Sequence, residues 1–324
     1  MQKIRRRDSH SFERRAIAVA FAVAALSQPV HAQEPPAYAA LPAENVSRRV
    51  APLSVAANDS MVAIPAGRYP IGRDKGPRSV TPRHEVTLGA FRIDRTEVTN
   101  AEYAEFLNAL RLPVRGSFAI GEISKKNADS DTIRMLGDFA GSDSYPLIEL
   151  DDDEARIVLT DGRFHPAGGH DRQPVTETTW AGARAYCVWR GGDLPTEVQW
   201  EAAARGPDDR LYPWGDEQPD ARRAFTSGRT GVIANVGSAP GGVSPFGLLD
   251  MAGSVAEWTR SLAKPYPYRA TDGRENLTAA GERTTRGGDY VYDREASKLT
   301  VSFRDSYSNA PSDGHRHIGF RCVS

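Results

Sequence analysis

Leu194-Pro195-Thr196-Glu197-Val198-Gln199-Trp200-Glu201-Ala202-Ala203-Ala204-Arg205 is the stretch on which the fold turns. Thr196 is a good helix N-cap, and Glu197 opens the first turn, where the helix dipole favours a carboxylate. Val198, Trp200, Ala203 and Ala204 form the inward face of the resulting helix. Two more helices lie upstream. Thr99 or Asn100 caps a run over residues 101–110, with Tyr103, Phe106, Leu107 and Leu110 at helical spacing and Glu102 in its first turn. Thr178 or Thr179 caps another that runs from Trp180 to Trp189. Residues 61–67 read as a short strand closed by a glycine turn, and His84-Glu85-Val86-Thr87-Leu88 as a second strand. The last hundred residues carry little helical pattern. With 29 Gly and 22 Pro in 324 residues, turns and irregular connections should be abundant. The fold class is therefore α+β with a large coil content.

Composition narrows the function classes. The chain has 41 Lys+Arg against 42 Asp+Glu, a net charge of −1, with 40% hydrophobic residues and two cysteines. Enough apolar side chains are present for a real core. A near-zero net charge argues against nucleic acid as a partner, because general binding needs a basic surface that releases counterions. Two cysteines make neither a four-thiolate zinc site nor a disulfide-dense scaffold.

Residues 1–32 change that arithmetic. Lys3, Arg5, Arg6, Arg7, Arg14 and Arg15 stand against Asp8 and Glu13, followed by an apolar run over residues 16–26 and the small-residue pattern Val30-His31-Ala32. This is the layout of a signal peptide, and its apolar run is too short to span a bilayer. Arg14-Arg15 before the run also resembles a twin-arginine export signal. Removing this segment takes away a net +4 and leaves a mature chain near −5 from the whole-chain value of −1, with no transmembrane span. The expected location is periplasmic or secreted. Residues 33–60 are rich in Pro, Ala and small polar residues and read as a flexible linker, which leaves residues 61–324 as the folded domain.

Blocks spread along that domain resemble the formylglycine-generating enzyme, or sulfatase-modifying factor, family. They are Glu97-Val98-Thr99-Asn100-Ala101-Glu102-Tyr103, Pro174-Val175, Thr179-Trp180, Ala185-Tyr186-Cys187-Val188-Trp189, the stretch 194–205, and Tyr212-Pro213-Trp214-Gly215. Then come Phe246-Gly247-Leu248-Leu249-Asp250-Met251-Ala252-Gly253, Glu257-Trp258, Arg286-Gly287-Gly288 and Gly319-Phe320-Arg321-Cys322. They occur in family order. The resemblance implies an irregular α+β domain related to the C-type-lectin scaffold. Most of these residues also have a structural explanation: Trp180, Trp189, Trp200 and Trp214 are large apolar groups suited to a core, with an indole N–H that needs a partner.

The family's name-giving reaction oxidises a cysteine of a client protein with dioxygen at copper held by two thiolates, ligands that monovalent copper selects. The resemblance places those thiols two and seven positions after a tyrosine in a Gly-Gly-Ser-Tyr-like segment. In the corresponding Gly287-Gly288-Asp289-Tyr290-Val291-Tyr292-Asp293-Arg294-Glu295-Ala296-Ser297, Tyr292 takes the first position and Ser297 approximately the second. The copper–dithiolate mechanism is thus not expected, as in the thiol-free members similar to the pyoverdine-chromophore oxidase. Cys187 and Cys322 match instead the family's structural disulfide, which an oxidising compartment allows. The resemblance also implies calcium near the Glu-Trp block. There Ser254 stands in place of the family's Asn and Glu257 remains, with Asp250 as a further candidate ligand and a second calcium loop expected within residues 224–235.

The candidate substrate face combines Asp289, Tyr290, Tyr292, Arg294, Arg304, Asp305, Tyr307, His315 and His317, towards the C-terminal end of the chain. His315 and His317 are spaced i, i+2, so on an extended strand both would point one way, and with Asp289 they could form a two-histidine, one-carboxylate iron site. Arg304 and Arg316 could equally hold an acidic ligand bidentately. Catalytic roles fall to Tyr292, Ser297, Asp289, Arg304, His315 and His317 if a redox metal, iron or copper, serves an oxidation here. Two functions are expected to compete: oxidative modification of a peptide or peptide-derived small-molecule substrate, or a lectin-like binding module without turnover. Residues 111–171, outside the clear blocks, are expected to shape the pocket rim.

Overall fold

The computed structural model describes residues 60–110, 132–139, 142–150, 154–226, 233–305 and 311–324. The signal and most of the linker read from the sequence lie outside the described residues, as does Tyr307. Helix α1 covers Asn100–Ala109, α2 Trp180–Trp189 and α3 Glu197–Arg205. Their starts are the ones that local chemistry sets. Thr99 and Thr196 each form a reciprocal capping box, with Glu102 and Gln199 respectively, and Thr179 caps α2 through the Gly182 N–H. At the far end of α3, Gly206 has φ +74°, a conformation in which glycine avoids the Cβ penalty.

The strands are short and scattered. β1 (Met61–Ile64) pairs antiparallel with β4 (Phe91–Asp94), and β2 (Gly67–Ile71) with β3 (His84–Leu88). Gly67 opens β2 rather than closing β1. Two hairpins follow: β5 (Thr132–Phe139) with β6 (Ser142–Glu149), and β7 (Ile157–Thr160) with β8 (Arg163–Pro166). The largest sheet has the order β11-β10-β9-β12, from β9 (Ala256–Leu262), β10 (Arg283–Arg286), β11 (Arg304–Asp305) and β12 (Ile318–Gly319). β12 runs parallel to β9 and the other pairs are antiparallel.

The larger core joins α1, α2 and the C-terminal segment. Tyr103, Phe106, Tyr186, Trp189 and Phe320 form a continuous aromatic cluster, with Tyr103 stacked on Tyr186 at 5.7 Å between ring centroids. The disulfide Cys187–Cys322 closes it by tying α2 to the C-terminal segment. In the chain-entropy view a loop of 135 residues makes such a bond worth about 5 kcal/mol. The described part of residues 111–171 contributes to this core. Leu147, Ile148, Ile157 and Phe164 are buried members of this core, and the Leu147 carbonyl lies where a Cβ on Gly182 would sit, so β6 and α2 approach at backbone distance.

Beneath the core lies a buried ionic layer. Glu197 and Glu201, one turn apart on α3, both have fully buried side chains. Arg274 and Arg304 converge on Glu197 at 2.7 and 2.6 Å, while Arg205 and Arg286 reach Glu201 at 2.8 and 2.5 Å. Glu257 of β9 is held by Arg321 through both carboxylate oxygens at 2.7 Å, and Trp200 donates its indole N–H to the same carboxylate at 2.8 Å.

Deleting one charge from such a layer leaves its partner buried and uncompensated, which costs about 3–5 kcal/mol. Glu201→Gln should therefore lower the unfolding free energy by about that amount in urea titration. Glu85→Gln, which breaks only the exposed pair with Arg68, should cost about 0–1 kcal/mol in the same experiment.

Candidate functional site

The Gly287-Gly288 turn leads from β10 onto the site. Gly288 has φ +72°, and a Cβ there would lie 2.7 Å from the Lys298 carbonyl oxygen, so the turn requires glycine. Asp289 then organises the next residues. Its Oδ1 accepts the Val291 and Tyr292 N–H groups, both at 2.6 Å, while Asp293 Oδ2 accepts the Asp289 N–H at 2.8 Å. The two carboxyl groups share a partly desolvated turn. Burial, then the charge of Asp289, pushes Asp293 up to about 7, and burial also raises Asp289.

This turn presents Tyr292, whose side chain is 59% exposed. The ring stands edge-on to His317 at 4.9 Å, and the Arg316 guanidinium covers it at 5.7 Å while Arg316 Nη2 donates to the phenol oxygen at 3.3 Å. His315 lies 5.7 Å from His317 and 6.0 Å from the buried Trp258. The two histidines precede β12 in a turn rather than on a strand, and their rings still meet. Backbone bonds fix them: the Ala256 N–H donates to the His317 carbonyl at 2.9 Å, and Glu177 N–H to the His315 carbonyl at 3.2 Å. Burial, then His315 and the Arg316 charge, depresses His317 from 6.5 to about 4, so its imidazole is neutral at physiological pH. Tyr290 lies behind this face, its phenol donating to the Arg316 carbonyl at 3.3 Å. Burial and the nearby Glu154 raise Tyr290 to about 12.

Among the expected catalytic residues, Tyr292, His315 and His317 bring their rings together, and Asp289, Ser297 and Arg304 are engaged otherwise. Asp289 adjoins Tyr292 but spends its Oδ1 on the turn amides. Ser297, in the short 3-10 turn Ala296–Leu299, is exposed and donates to Glu295 at 3.2 Å. Arg304 is buried on Glu197 and on the Ser79 and Lys264 carbonyls, sharing none of the contacts described for Tyr292 and the histidines. Among the described residues, no three His, Cys, Asp or Glu side chains are arranged to hold a metal ion. Both cysteines are used in the disulfide, so the chain has no thiol pair to offer copper, and a dithiolate site does not fit it. Arg316, one of the two arginines expected to hold an acidic ligand, belongs to this face, and the buried Trp258 backs it. Trp258 belongs to a block that reads as scaffold.

A second cluster lies near the Glu-Trp block. Glu97 is buried, with its carboxyl group against that of Asp250 and the charges of Arg321 and Glu257 nearby. Burial, then the facing Asp250, raises it well above the usual carboxylate range. Asp250 adopts φ +57° and accepts the Gly237 N–H at 2.5 Å. Glu257 is tied to Arg321 and Trp200 as above, and Ser254 supplies turn backbone, bonded to Phe225 and Tyr290. The carboxyl groups left for a hard cation are therefore Glu97 and Asp250. Glu97 lies in the link between β4 and α1, and nothing in its spacing marks it as a ligand. Of the loop over residues 224–235, the segment 227–232 lies outside the described residues.

Residues 46–324 match the model of the Sulfatase-modifying factor enzyme 1-like domain. The chain is 31% identical to the formylglycine-generating enzyme of Streptomyces coelicolor, over 81% of this chain and 88% of that protein. It belongs to the sulfatase-modifying-factor family. It is also 29% identical to the inactive C-alpha-formylglycine-generating enzyme 2 of Bos taurus, over 82% of this chain and 88% of that protein. Among solved structures, PvdO from Pseudomonas aeruginosa shares the fold, with a TM-score of 0.54 at 23% identity over 81% of this chain and 93% of that one.

The histidine environment has a measurable consequence. As pH falls, the unfolded chain takes up this proton near 6.5 and the folded chain only near 4, so stability declines between those values. The wild-type stability curve should therefore fall more steeply than that of His317→Gln between pH 6.5 and 4. An NMR titration should place the His317 midpoint near 4.

Proposed function

We propose that this chain is an exported, formylglycine-generating-enzyme-like protein that oxidatively modifies a peptide or peptide-derived substrate without a copper–dithiolate centre. The observation that carries this reading is the union of the family scaffold with a Tyr292–Arg316–His317–His315 face, in which Tyr292 occupies one of the two thiol positions that the resemblance implies. Tyr292 and Arg316 would bind and orient the substrate, and the neutral His317 imidazole would accept a proton from it. The overall step is a loss of two electrons and two protons by the substrate, both taken up by dioxygen to give hydrogen peroxide. The Cys187–Cys322 bond agrees with an oxidising compartment, periplasmic or extracellular, reached through the signal at residues 1–32. No described helix is long and apolar enough to cross a membrane.

A lectin-like or accessory binding role is the second reading. It is favoured by the same face, where a tyrosine capped by arginine is a binding surface in its own right, and by the likeness to a relative named inactive. Metal analysis of the purified mature protein, combined with dioxygen uptake on candidate peptides, separates the two. The oxidative reading expects bound iron or copper and uptake that falls at least about a hundredfold in His315→Ala/His317→Ala, as for loss of an acid–base group. No redox metal, no uptake and undiminished ligand binding by that variant would establish the binding role.

Calcium belongs to the same proposal as a structural ion. Oxygen donors suit it, and the buried Glu97 and Asp250 carboxyl groups, set against each other, fit a hard cation that would relieve their mutual repulsion. Calcium should raise the melting temperature of the wild-type protein, by about 2–4 °C per kcal/mol of binding for a domain of this size. Glu97→Gln with Asp250→Asn should lose most of that rise in differential scanning fluorimetry.

A further inference from the structure

A cavity of about 150 Å³ lies between the loop that follows β2 and the segment that follows α3. Its wall includes Arg73, Arg205, Arg210, Asp209 and Ser302, three guanidinium groups against one carboxylate. It belongs neither to the histidine face nor to the carboxyl cluster, because none of these residues takes part in either.

The three arginines differ in what they have left to give. Arg205 is buried and fixed: Nη2 donates to the Gly72 carbonyl at 2.9 Å and to Glu201 at 2.8 Å, and Nη1 to Asp209 at 3.1 Å. Arg210 is held by Asp208 at 2.5 Å and by the Pro213 carbonyl at 3.1 Å. Arg73, partly buried, makes no side-chain hydrogen bond or ion pair with any described residue. The one lining carboxylate is already shared, since Asp209 accepts from Arg205 and pairs with Arg83 at 3.3 Å. Ser302 is buried, and its hydroxyl meets only Thr300 Oγ1, at the long distance of 3.5 Å. The wall therefore offers a free guanidinium fork, a second arginine held in place from behind, and an underused hydroxyl. The volume exceeds what one water needs, which is about 10–15 Å³ by the same kind of measure.

We propose that this cavity binds a small tetrahedral oxyanion, phosphate or sulfate, free or as the head of a monoester. Arg73 is its principal ligand, Arg210 and Ser302 complete the cradle, and Arg205 fixes the floor. Planar guanidinium forks match such oxygens two at a time. The substrate face is not involved, so this site stands or falls independently of the oxidative reading.

The test uses the mature protein, titrated with sodium phosphate, sodium sulfate and sodium chloride at matched ionic strength, followed by calorimetry and thermal unfolding. Phosphate or sulfate should bind saturably and raise the unfolding midpoint above the chloride value. Arg73→Ala should weaken that binding at least about tenfold, the effect of losing a charge-assisted contact, and leave the anion-free midpoint unchanged. Arg73→Lys should fall between the two, because it keeps the charge and loses the fork. Arg68→Ala, in an exposed pair elsewhere on the surface, should bind as wild type does. Phenyl phosphate and phenyl sulfate distinguish the sources: binding equal to the inorganic ion assigns a carried ester, and exclusion assigns the free ion. Chloride matching phosphate and sulfate, or undiminished binding by both Arg73→Ala and Ser302→Ala, would overturn the proposal.

Discussion

Arginine forks on buried carboxylates hold together a chain that has little regular secondary structure. Glu197, Glu201 and Glu257 draw in Arg274, Arg304, Arg286 and Arg321 from segments far apart in the sequence, and Arg205 joins them from the next turn of α3. Each long-range guanidinium also binds loop backbone. Arg274 takes the Pro265 carbonyl, Arg286 that of Val301, Arg304 those of Ser79 and Lys264, and Arg321 those of Asp94, Arg95 and Leu249. In a helix or sheet these carbonyls would be satisfied by ladder bonds. Here the arginines satisfy these carbonyls, which lets the coil segments that carry them pass through the interior. The ionic layer is therefore less a source of net stability than a device for specifying one arrangement of loops.

That device explains what the sequence could and could not disclose. Caps and apolar spacing act over three or four residues, so Thr99, Thr179 and Thr196 mark their helices correctly. Glu197 fits the first turn of a helix equally well from local chemistry. Its real partners stand 77 and 107 residues further along, and no local pattern announces them. The same holds for Leu147 and Ile148, which lie outside every recognisable block yet enter the core because β6 packs on α2.

The reactive face shows the corresponding limit. The i, i+2 spacing correctly anticipates that His315 and His317 are close, although a turn rather than a strand brings them there. Arg304 looked equally available, with its charge near the same end of the chain. It is consumed by Glu197, because a buried carboxylate on α3 needs a second cation more than the surface does. Asp289 likewise lies beside Tyr292 in sequence and in space, but its Oδ1 holds the turn that carries the tyrosine. Proximity in sequence identified the neighbourhood; competition for hydrogen bonds decided which side chains remained free to meet a substrate.

This division of labour explains how the scaffold can survive without the thiols. Tyr292 and Ser297, which occupy the thiol positions implied by the family resemblance, are both exposed, and neither contributes to a core cluster or to the ionic layer. Substitution at such places usually changes stability by less than about 0.5 kcal/mol. Cys187 and Cys322 are in the opposite situation, buried at the junction of α2 with the C-terminal segment, where loss of the bond would free a long loop. A change of chemistry on this scaffold is thus inexpensive at the turn after Gly288 and costly everywhere the arginines reach. The two cysteines are buried where they close the fold, while the turn after Gly288 carries Tyr292 to the surface beside the histidines.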